Sequence, residues 1–431
     1  MKKAAIIAGG KGTRLAPYIK DIPKALVKIG NKTIIEHQVL LLKEHGIKEI
    51  WVLLGYLGEQ IRDYLGNGKK WKVKINYVQE DKPLGTAGAL KQLEKRMKED
   101  FLVFSGDVML DLDLGRVIKW HEEKKDSIAT FVVHPNDHPF DSDLVEIDKG
   151  GRIISLNKRP HPKGENFHNL SIASAYIFSP KIFKHIPSNR KTDIEKYLLP
   201  KILKLNKKVY GYCTPEYIKD AGTQKRLKRV REDYLSGKIK RLNLRNKRKT
   251  IFLDRDGVIN KEIGQLSRKE DLKIYSFASK AIKKINDSEY LAIIITNQPM
   301  IAKGFMTEKN LNEVHKKLET ELGLKGAKID GIYYCPHHPE KGFKGEVPKL
   351  KINCKCRKPG IELLLQAKRY FNIDFKKSYF IGDRNVDVLA GKKAGCKTIL
   401  VKTGYGKKNK SLPIKPDFFV KNLLEAVNKI T

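Results

Sequence analysis

Short apolar runs that end abruptly in acidic or glycine-rich residues constrain the fold of this sequence more than any other feature. Near the middle of the chain, the run 250–253 ends in Asp254-Arg255-Asp256-Gly257. Asp254 and Asp256 are two residues apart on an extended segment, so both carboxylates can project to the same side. Such a pair suits a metal site that also holds a nucleophile and a proton-transfer group.

Two further apolar runs in the second half of the chain, 291–295 and 377–381, also end in polar residues. Helix-like segments lie between the runs, at 278–287, 308–322 and 361–370. Strands that alternate with helices predict a parallel sheet, and its polar strand ends gather at one edge. These ends are Thr296-Asn297-Gln298 and the stretch from Gly382 to Asp387.

The charge of the chain is its unusual bulk property, with a formal net charge of +38 over 431 residues. Such a balance is compatible with nucleic acid, a membrane surface or small anionic substrates. The basic residues are mostly lysine, are spread along the whole chain and do not interleave with aromatic residues as in single-strand binders. This distribution favours phosphate-bearing substrates over nucleic acid.

Cysteine use and the amino-terminal residues bear on the compartment. Four of the five cysteines follow residue 330, and their odd number suggests no disulfide framework. The apolar start of the chain stops at Gly9-Gly10, which is too short for a secretory signal, and no later stretch is long enough to span a membrane. We expect a cytoplasmic protein.

A glycine-rich turn follows the first apolar run, 4–8. Glycines let backbone amides approach an anion closely, and an arginine adds a forked cationic donor. The spacing matches neither the Walker A loop nor the dinucleotide-binding fingerprint. Phosphate binding and an ordinary strand-to-helix turn both remain open for these residues. The turn reads Gly9-Gly10-Lys11-Gly12-Thr13-Arg14.

Three more motifs follow in the first half. Lys24 lies in a loop before a helix-like segment at 34–45, a second glycine-rich turn spans 84–89, and a strand at 101–104 leads to Asp107. Ligands bind at the carboxyl ends of strands in such sheets. In this order, the motifs resemble the sugar-1-phosphate nucleotidyltransferase family over nearly the whole first half.

The resemblance implies a role for each motif. The Gly9–Arg14 loop would hold the triphosphate, with Arg14 on the leaving pyrophosphate, and Lys24 would contact the phosphate at the reacting centre. Mg²⁺ would be bound by Asp107 and by Asp220, and catalysis would consist mainly of positioning and charge neutralisation. The residues implied in substrate binding are Gly9, Gly10, Gly12, Thr13, Gly85 and Thr86, with Lys158 on the sugar phosphate.

Two departures from the family concern the sugar pocket. The residue before Lys158 is Asn157, where the family usually has glutamate, and the strand at 172–176 lacks the asparagine and glycine that the family tends to have there. We therefore expect an unusual sugar pocket. The segment 134–143, rich in proline and histidine, is either a loop near that pocket or ordinary turn structure.

The three strand ends of the second half resemble the haloacid dehalogenase-type phosphatases. The resemblance implies that Asp254 is the nucleophile and that Asp256 is the acid and base. Asp383 would complete a Mg²⁺ site with Asp254 and the backbone of Asp256, and Asp387 would support that site. Thr296 and Lys358 would hold the transferring phosphoryl group.

Two clusters of sulfur and nitrogen ligands precede Lys358. Cys335 and His337 are followed by Cys354 and Cys356, which are ligand types of a closed tetrahedral zinc site. Paired cysteines in a loop-rich, lysine-rich segment are poorly suited to a core. We predict a structural zinc ion that fixes the following Arg-Lys-Pro loop, with His338 as a possible substitute ligand.

Within the phosphatases, this zinc loop and the Asp-Arg-Asp-Gly start resemble the heptose 1,7-bisphosphate 7-phosphatases, with the histidinol phosphatases as a rival. On the heptose interpretation the substrate contacts are Glu262, Gln265, Asn297, Gln298, Arg357 and Arg384, and Pro299 replaces a usual serine.

The predicted architecture is α/β, with two doubly wound domains. The first, 1–237, has a Rossmann-like mixed sheet, and the second, 250–431, has a parallel sheet with a zinc loop. A basic linker, 238–249, joins them. The predicted function is removal of the 7-phosphate from heptose 1,7-bisphosphate, then transfer of GMP from GTP to heptose 1-phosphate, with Mg²⁺ in both domains.

Two alternatives stay open at this point. One is a different sugar-1-phosphate nucleotidyltransferase fused to a histidinol-phosphate-type phosphatase. The other is a basic, zinc-containing nucleic-acid-binding protein, which predicts steeply salt-dependent binding to DNA or RNA. The partners that we expect are sugar phosphates and a nucleoside triphosphate, with neither nucleic acid nor membrane.

Overall fold

The computed structural model of the chain describes residues 1–10, 21–408 and 414–431, and it divides into two compact units. The second unit is discontinuous in sequence, since two short segments from the first half of the chain belong to it. The domain bounds 1–237, 238–249 and 250–431 stay a prediction. The first unit comprises Met1–His134, Val145–Asn157 and Leu170–Asn243, and the second comprises Pro135–Leu144, Lys158–Asn169 and Leu244–Thr431.

The first unit is built on a mixed sheet, as predicted. Its strands in chain order are β1 (Lys3–Ile7), β2 (Lys28–Ile29), β3 (Lys32–Thr33), β4 (Glu49–Leu54), β5 (Lys74–Gln79), β6 (Phe101–Ser105), β7 (Val108–Asp111), β8 (Ala129–His134), β9 (Leu144–Ile147), β10 (Ile153–Asn157), β11 (Ser171–Phe178), β12 (Val209–Cys213) and β13 (Tyr217–Asp220). Within the described residues the main sheet has the order β10-β9-β11-β6-β1-β4-β5, and β8 and β12 extend from β11.

Four neighbouring strands of this sheet, β6, β1, β4 and β5, run parallel, whereas β11 is antiparallel to β6. A two-stranded antiparallel ladder of β7 and β13 places Asp220 opposite Val108. The helices of this unit are α1 (Ile34–Glu44), α2 (Gly58–Leu65), α3 (Gly85–Lys91), α4 (Leu114–Glu123), α5 (Leu199–Lys204), α6 (Gln224–Leu235) and α7 (Lys238–Arg241).

The second unit contains a parallel sheet of six strands within the described residues, in the order β16-β15-β14-β17-β18-β19. Its strands are β14 (Lys249–Leu253), β15 (Tyr290–Asn297), β16 (Gly331–Cys335), β17 (Tyr379–Gly382), β18 (Lys397–Val401) and β19 (Phe418–Val420). Its helices are α8 (Ala278–Asp287), α9 (Glu308–Gly323), α10 (Glu362–Phe371), α11 (Asn385–Ala394) and α12 (Leu423–Ile430).

Burial explains why the apolar runs of the sequence form strands. Ile251, Phe252 and Leu253 of β14 have no exposed surface, because helices cover both faces of a parallel sheet. Ile251 and Leu253 pack in one apolar core, and Phe252 packs in another. The predicted helices also form, and α8 has the predicted bounds. No helix in the described part of the chain combines the length and apolar character needed to cross a membrane.

Candidate functional sites

The polar strand ends of the second unit meet at one edge of its sheet, as predicted. β14 lies between β15 and β17, so strand order reverses at β14, and ligands bind at such points in open α/β sheets. Asp254 directly follows β14, Thr296 lies near the end of β15, and Asp383 directly follows β17. The topology therefore gathers the three predicted site residues.

Lys358 connects the acidic residues of this edge. Its Nζ lies 2.9 Å from Oδ1 of Asp254 and 2.6 Å from Oδ1 of Asp387, and it donates to the carbonyl oxygen of Ile295 at 3.0 Å. Asp254, Asp383 and Asp387 are all buried, and one carboxylate oxygen of each lies within 4.8 Å of the other two. Asp387 thus belongs to the acidic cluster itself.

The charge of this cluster is not balanced by the side chains that form it. Burial, together with the neighbouring carboxylates, raises the pKa of Asp254 to about 7 and that of Asp383 to about 8. Burial acts to lower the pKa of Lys358, but Asp254 and Asp387 outweigh it and raise that pKa. Three buried carboxylates with one ammonium group are a donor set that suits Mg²⁺, which binds to one or two carboxylates with substrate oxygens.

Two glycines fix the position of Asp383. A Cβ atom added to Gly257 would lie 2.1 Å from Oδ2 of Asp383, and one added to Gly404 would lie 2.0 Å from the same atom. Both glycines have positive φ angles, which other residues rarely adopt. The backbone N–H of Tyr405 donates to this oxygen at 2.7 Å. The carboxylate is therefore held between two backbone segments.

Asp256 is oriented separately from the acidic cluster. Arg255 donates to both of its carboxylate oxygens, at 3.1 Å from Nη2 to Oδ1 and 2.8 Å from Nη2 to Oδ2. Asn260 donates to Oδ1 and Gln298 donates to Oδ2, each at 2.9 Å. Burial favours a raised pKa of Asp256, but Arg255 and these hydrogen bonds outweigh it and lower that pKa.

Other predicted residues of this site have defined roles in its framework. The side chain of Asn297 pairs with the backbone of Lys358, donating to the carbonyl oxygen at 3.2 Å and accepting from the N–H at 3.0 Å. Gln298 donates to Oγ1 of Thr296 at 2.9 Å. These contacts hold the ends of β15 against the Lys358 loop. Thr296 itself is buried.

The predicted substrate-recognition residues lie in loops. Burial raises the pKa of Glu262, whose side chain accepts from the backbone of Gly264 at 2.6 Å. Gln265 is exposed. Burial lowers the pKa of Arg357, and the nearby Arg384 lowers it further. Two guanidinium groups close enough to affect each other suit an anionic ligand.

The four predicted zinc ligands form one cluster. Sγ of Cys335 lies 3.5 Å from Sγ of Cys354, and Sγ of Cys356 lies 3.2 Å from both. Nδ1 of His337 lies 3.6 Å from Cys335 and 3.2 Å from Cys356. A tetrahedral zinc ion with bonds of about 2.3 Å to sulfur separates its ligands by roughly 3.7 Å, so the donor set fits. His338 lies 3.8 Å from Glu340 instead.

In the first unit, Lys24 and Asp107 are brought together. Nζ of Lys24 lies 3.3 Å from Oδ2 of Asp107, whose Oδ1 accepts from Ser105 at 3.0 Å. Asp220 lies on the strand beside this segment, and its neighbour Ala221 donates to the carbonyl oxygen of Asp107. The carboxylate of Asp220 pairs with Arg226 at 2.7 Å. Two carboxylates with substrate phosphates are a usual environment of Mg²⁺.

The second glycine-rich turn packs against a backbone segment. A Cβ atom on Gly85 would lie 2.6 Å from the carbonyl oxygen of Thr192, and one on Gly88 would lie 2.7 Å from that of Arg190. Oγ1 of Thr86 accepts from the backbone of Ile194 at 2.8 Å. These contacts set the start of α3. Of the first glycine-rich loop, Gly9 and Gly10 are described, whereas Gly12, Thr13 and Arg14 lie outside the described residues.

The predicted sugar side of the first unit has an acid that the sequence did not reveal. Glu195 accepts from Oγ of Ser174 at 3.3 Å and from the hydroxyl of Tyr176 at 2.6 Å. Both partners lie in the strand that departs from the family pattern, which contains a register shift there. Lys158 is exposed, in a segment that belongs to the second unit.

Two further residues were missed because no sequence pattern marks them. Arg255 has no exposed surface, although arginine is rarely fully buried. Its Nη1 lies 3.3 Å from Nε2 of His315, whose pKa burial and Arg255 lower well below the usual value. Glu80, at the end of β5, lies beside Gly9. Each could be inferred from the sequence only if the fold were known.

Both halves of the chain match known protein families. Residues 3–237 match the nucleotidyl transferase family, and this stretch is more than half of the 431 residues. The chain belongs to this family. Residues 355–426 match a second family, described as HAD-hydrolase-like. The predicted fold class of this nucleotidyltransferase, with a HAD-like phosphatase unit at its carboxyl end, is confirmed.

Individual relatives extend this result. A D-glycero-alpha-D-manno-heptose-1,7-bisphosphate 7-phosphatase from Photorhabdus laumondii is 44% identical over 161 residues, which cover 37% of this chain and 86% of the relative. The chain therefore belongs to the family of that phosphatase as well. A UTP–glucose-1-phosphate uridylyltransferase from Synechocystis is 33% identical over 215 residues, covering 47% of this chain and 55% of the relative.

Among solved structures, HddC from Yersinia pseudotuberculosis is 28% identical, with a TM-score of 0.47 over 54% of this chain and 100% of that chain. The prediction of an enzyme with a phosphatase and a nucleotidyltransferase activity is confirmed by the two family memberships.

Proposed function

We propose that this enzyme makes a nucleotide-activated heptose in two steps. The second unit hydrolyses the 7-phosphate of D-glycero-D-manno-heptose 1,7-bisphosphate. The first unit then transfers GMP from GTP to the resulting heptose 1-phosphate. The two reactions fit together chemically, since the product of the first is the acceptor of the second.

One observation carries the phosphatase half of this proposal. Lys358 joins Asp254 to Asp387 at the switch point of the sheet, with Asp383 in the same buried cluster. In this proposal Asp254 attacks the phosphorus atom and forms an aspartyl-phosphate, while Lys358 and Thr296 hold the transferring phosphoryl group. A bound Mg²⁺ would be held by Asp254 and Asp383 and would neutralise charge on the phosphoryl oxygens.

Asp256 serves as acid and base in this scheme. It donates a proton to the leaving oxygen of the heptose, and its carboxylate then takes a proton from the water that attacks the aspartyl-phosphate. Arg255 and the hydrogen bonds from Asn260 and Gln298 lower the pKa of Asp256, so its carboxylate must take up a proton from solvent before it can act as the acid of the first step.

In the first unit, an oxygen of heptose 1-phosphate attacks the α-phosphorus of GTP in line, and pyrophosphate leaves. Lys24 is assigned to the α-phosphate, and Arg14 is assigned to the pyrophosphate. Mg²⁺ bound by Asp107 and Asp220 would supply further charge neutralisation. The turn at Gly85 and Thr86 lines the nucleoside side, and Lys158 is assigned to the sugar phosphate.

Zinc is the metal that we propose for the Cys335, His337, Cys354 and Cys356 cluster. Its four donors match a closed structural site, in which no ligand position is left for substrate. The cluster immediately precedes Arg357 and Lys358 in sequence. A zinc ion there would fix the loop that delivers Lys358 to Asp254.

The test supplies the purified full chain with heptose 1,7-bisphosphate, Mg²⁺ and GTP, ATP or UTP. Phosphate, pyrophosphate and nucleotide-sugar are followed together. We expect phosphate release followed by GDP-heptose, with Asp254→Asn blocking the first step and Lys24→Ala the second. Supplying heptose 1-phosphate directly should restore the second step in Asp254→Asn. Absence of phosphate release from the wild type would contradict the heptose assignment.

A second candidate differs in the first unit. The uridylyltransferase relative favours UTP and a hexose 1-phosphate as substrates, in which case the phosphatase would act on a separate phosphate ester such as histidinol phosphate. Formation of a UDP-sugar from glucose 1-phosphate, with no GDP-heptose, would support this candidate.

A further inference from the structure

One polar residue interrupts the apolar face of α1. Gln38 has no exposed surface, and it lies about one helical turn from Ile34 and from Leu42, both of which are also fully buried. Residues four apart on a helix share a face, so the helical period places Gln38 in the middle of the stripe that packs into the core. An amide at such a position needs hydrogen-bond partners, because an unpaired buried amide is strongly unfavourable.

Both hydrogens of this amide are used on the turn that carries Asp107. Nε2 of Gln38 donates to the carbonyl oxygens of Ser105 and Val108, each at 2.8 Å. Because both neighbours are carbonyl oxygens, only the amide nitrogen can face them, which settles the orientation of the side chain. Ser105 ends β6 and Val108 begins β7. Gln38 therefore connects the strand ends on either side of Asp107.

The oxygen of the amide gains nothing from this arrangement. Oε1 of Gln38 is buried, and no residue among 1–10, 21–408 and 414–431 donates a hydrogen bond to it. An unpaired acceptor in a core is unfavourable, whereas methionine, which is of similar size, would avoid this cost. Packing alone therefore does not account for a glutamine here. The two hydrogen bonds that it donates distinguish it from an apolar residue.

Val108 links Gln38 to the second carboxylate of the site. It pairs with Asp220 in the antiparallel ladder of β7 and β13. In the same region, the backbone N–H of Ala221 donates to the carbonyl oxygen of Asp107 at 3.1 Å. The amide of Gln38 thus holds a residue that neighbours Asp107 in the sequence and Asp220 in the ladder.

The position of these two carboxylates matters because Mg²⁺ tolerates little error in its ligands. It binds oxygen at about 2.0–2.1 Å in near-ideal octahedral geometry. Two carboxylates on neighbouring strands can meet this requirement together only if the strands keep a fixed separation. A buried residue that contacts neither metal nor substrate can therefore set the metal affinity, as outer-shell partners of metal ligands do.

We propose that Gln38 is a positioning residue of nucleotidyl transfer. Through the backbone of Ser105 and Val108 it sets the position of Asp107 relative to Asp220, and thereby the affinity of the site for Mg²⁺. The proposal rests on the metal-binding role proposed for these two aspartates. It does not depend on which nucleotide or which sugar phosphate the enzyme uses.

The decisive variant is Gln38→Met, which keeps the size of the side chain and removes both donors. Nucleotidyl transfer is measured over a wide range of Mg²⁺ concentration, with the triphosphate and sugar 1-phosphate that the wild type prefers. We expect the Mg²⁺ concentration for half-maximal rate to rise about 10- to 100-fold. The rate at saturating Mg²⁺ should recover most of its wild-type value, and KM for the sugar 1-phosphate should change little.

Metal binding gives a measurement that does not depend on turnover. Mn²⁺ is titrated in the presence of a non-hydrolysable analogue of the preferred triphosphate, and the free ion is followed by electron paramagnetic resonance. Each protein carries Asp383→Asn in this experiment, so that the acidic cluster of the second unit competes less. Gln38→Met should weaken Mn²⁺ binding by about the kinetic factor, and Asp107→Asn should weaken it at least as much.

The matched control is Asn286→Leu in the second unit. Nδ2 of Asn286 donates to the carbonyl oxygen of Lys328 at 3.0 Å, so this variant also replaces an amide that holds the backbone by an apolar residue of similar size. It should leave the Mg²⁺ dependence of nucleotidyl transfer unchanged. Gln38→Asn, whose amide is one methylene shorter, is a second variant and should shift the Mg²⁺ dependence in the same direction as Gln38→Met.

The possible results separate two failures. If Asp107→Asn keeps wild-type Mn²⁺ binding, both the metal-binding role of Asp107 and the role of Gln38 are wrong. If Asp107→Asn weakens binding and neither variant of Gln38 does, only the role of Gln38 is wrong. A rate that falls by the same factor at every Mg²⁺ concentration, with unchanged Mn²⁺ affinity, would show that Gln38 merely supports the fold, and would also overturn the proposal.

Discussion

Arg255 donates to both carboxylate oxygens of Asp256, and the opposite side of its guanidinium group lies 3.3 Å from Nε2 of His315. Because burial and Arg255 hold His315 neutral, its ring can accept a hydrogen bond without adding a second positive charge. Oε1 of Gln298 accepts from the same guanidinium group at 2.9 Å. Asp256, the acid and base of the proposed mechanism, is thus oriented by Arg255, the buried residue that precedes it in the sequence.

The first prediction concerns this contact. Arg255→Lys keeps the positive charge but loses the planar fork that reaches Asp256, Gln298 and His315 together. We expect kcat for phosphate release to fall about 10- to 100-fold, with a smaller change in KM, because a proton donor is misplaced rather than removed. Steady-state kinetics over a range of pH would measure both constants.

The control for this variant is Arg268→Lys, since the side chain of Arg268 is 72% exposed. Arg255→Lys should also move the basic limb of the pH profile, because the pKa of Asp256 rises when the guanidinium group no longer lowers it. A fall in kcat without any movement of that limb would indicate a structural role for Arg255 alone.

The second prediction links pH to metal binding. In the folded chain the pKa of Asp254 is raised to about 7 and that of Asp383 to about 8. An unfolded aspartate titrates at about 4. Both carboxyls therefore stabilise the metal-free fold fully below about pH 4, and this contribution is lost as the pH rises through the two folded-state values.

Thermal unfolding in EDTA should accordingly show a lower Tm for the second unit at about pH 8.5 than at about pH 5.5. Mg²⁺ should raise Tm much more at the higher pH, where the carboxylates are ionised and can bind it. Asp383→Asn, which removes one carboxylate, is expected to flatten the pH dependence in EDTA. Equal effects of Mg²⁺ at both pH values would count against a cation at this cluster.

The third prediction concerns the sulfur cluster. Cys354→Ser should remove bound zinc, measured by elemental mass spectrometry as about one ion per chain in the wild type. Phosphate release should fall strongly, since the loop that carries Lys358 loses its anchor. Cys213→Ser, which alters a half-buried cysteine outside the cluster, should retain both zinc and activity. Wild-type protein that binds no zinc while fully active would refute the proposed metal.

The fourth prediction concerns a segment of the second unit that comes from the first half of the sequence. His168 pairs with Glu319 of α9, and its Nε2 lies 2.8 Å from Oδ1 of Asn312. Burial acts to lower the pKa of His168, but Glu319 outweighs it and raises that pKa. Because folding raises this pKa, the ion pair of His168 with Glu319 contributes its full stabilisation below about pH 6.5. This contribution is lost as the pH rises through the folded-state pKa of His168.

His168→Gln should therefore speed hydrogen exchange in 158–169, and the difference from wild type should shrink as the pH rises. His185→Gln, at a histidine of the first unit whose pKa burial lowers, is the control and should leave this segment unchanged. A difference that stays constant with pH would mean that the charge of His168 is not what holds the segment.

The sequence predicted the elements of the phosphatase site because its residues follow buried strands. Asp254 and Asp383 come directly after β14 and β17, and chain topology alone brings such positions together. The cysteine and histidine cluster was also predictable, because paired cysteines in a loop seldom have a role other than metal binding. Local pattern and strand order were sufficient for these residues.

Other residues depend on contacts that no local pattern reveals. Arg255 and His315 meet only after α9 packs on the sheet, and Glu80 faces Gly9 only because β5 lies two strands from β1. A supporting role of Asp387 stays a prediction, and its contact with Lys358 from the first turn of α11 is one that spacing alone does not reveal. Long-range side-chain geometry of this kind is set by packing and not by sequence neighbours.

The discontinuous second unit also limits how the two activities can be separated. A chain cut at residue 244 would keep α9 but lose Phe167, which exchanges backbone hydrogen bonds with the side chain of Thr320, and Pro139, which packs closely on Gly323. That surface of α9 would then face water. An engineer who wants a free-standing phosphatase should redesign the helix rather than simply shorten the gene.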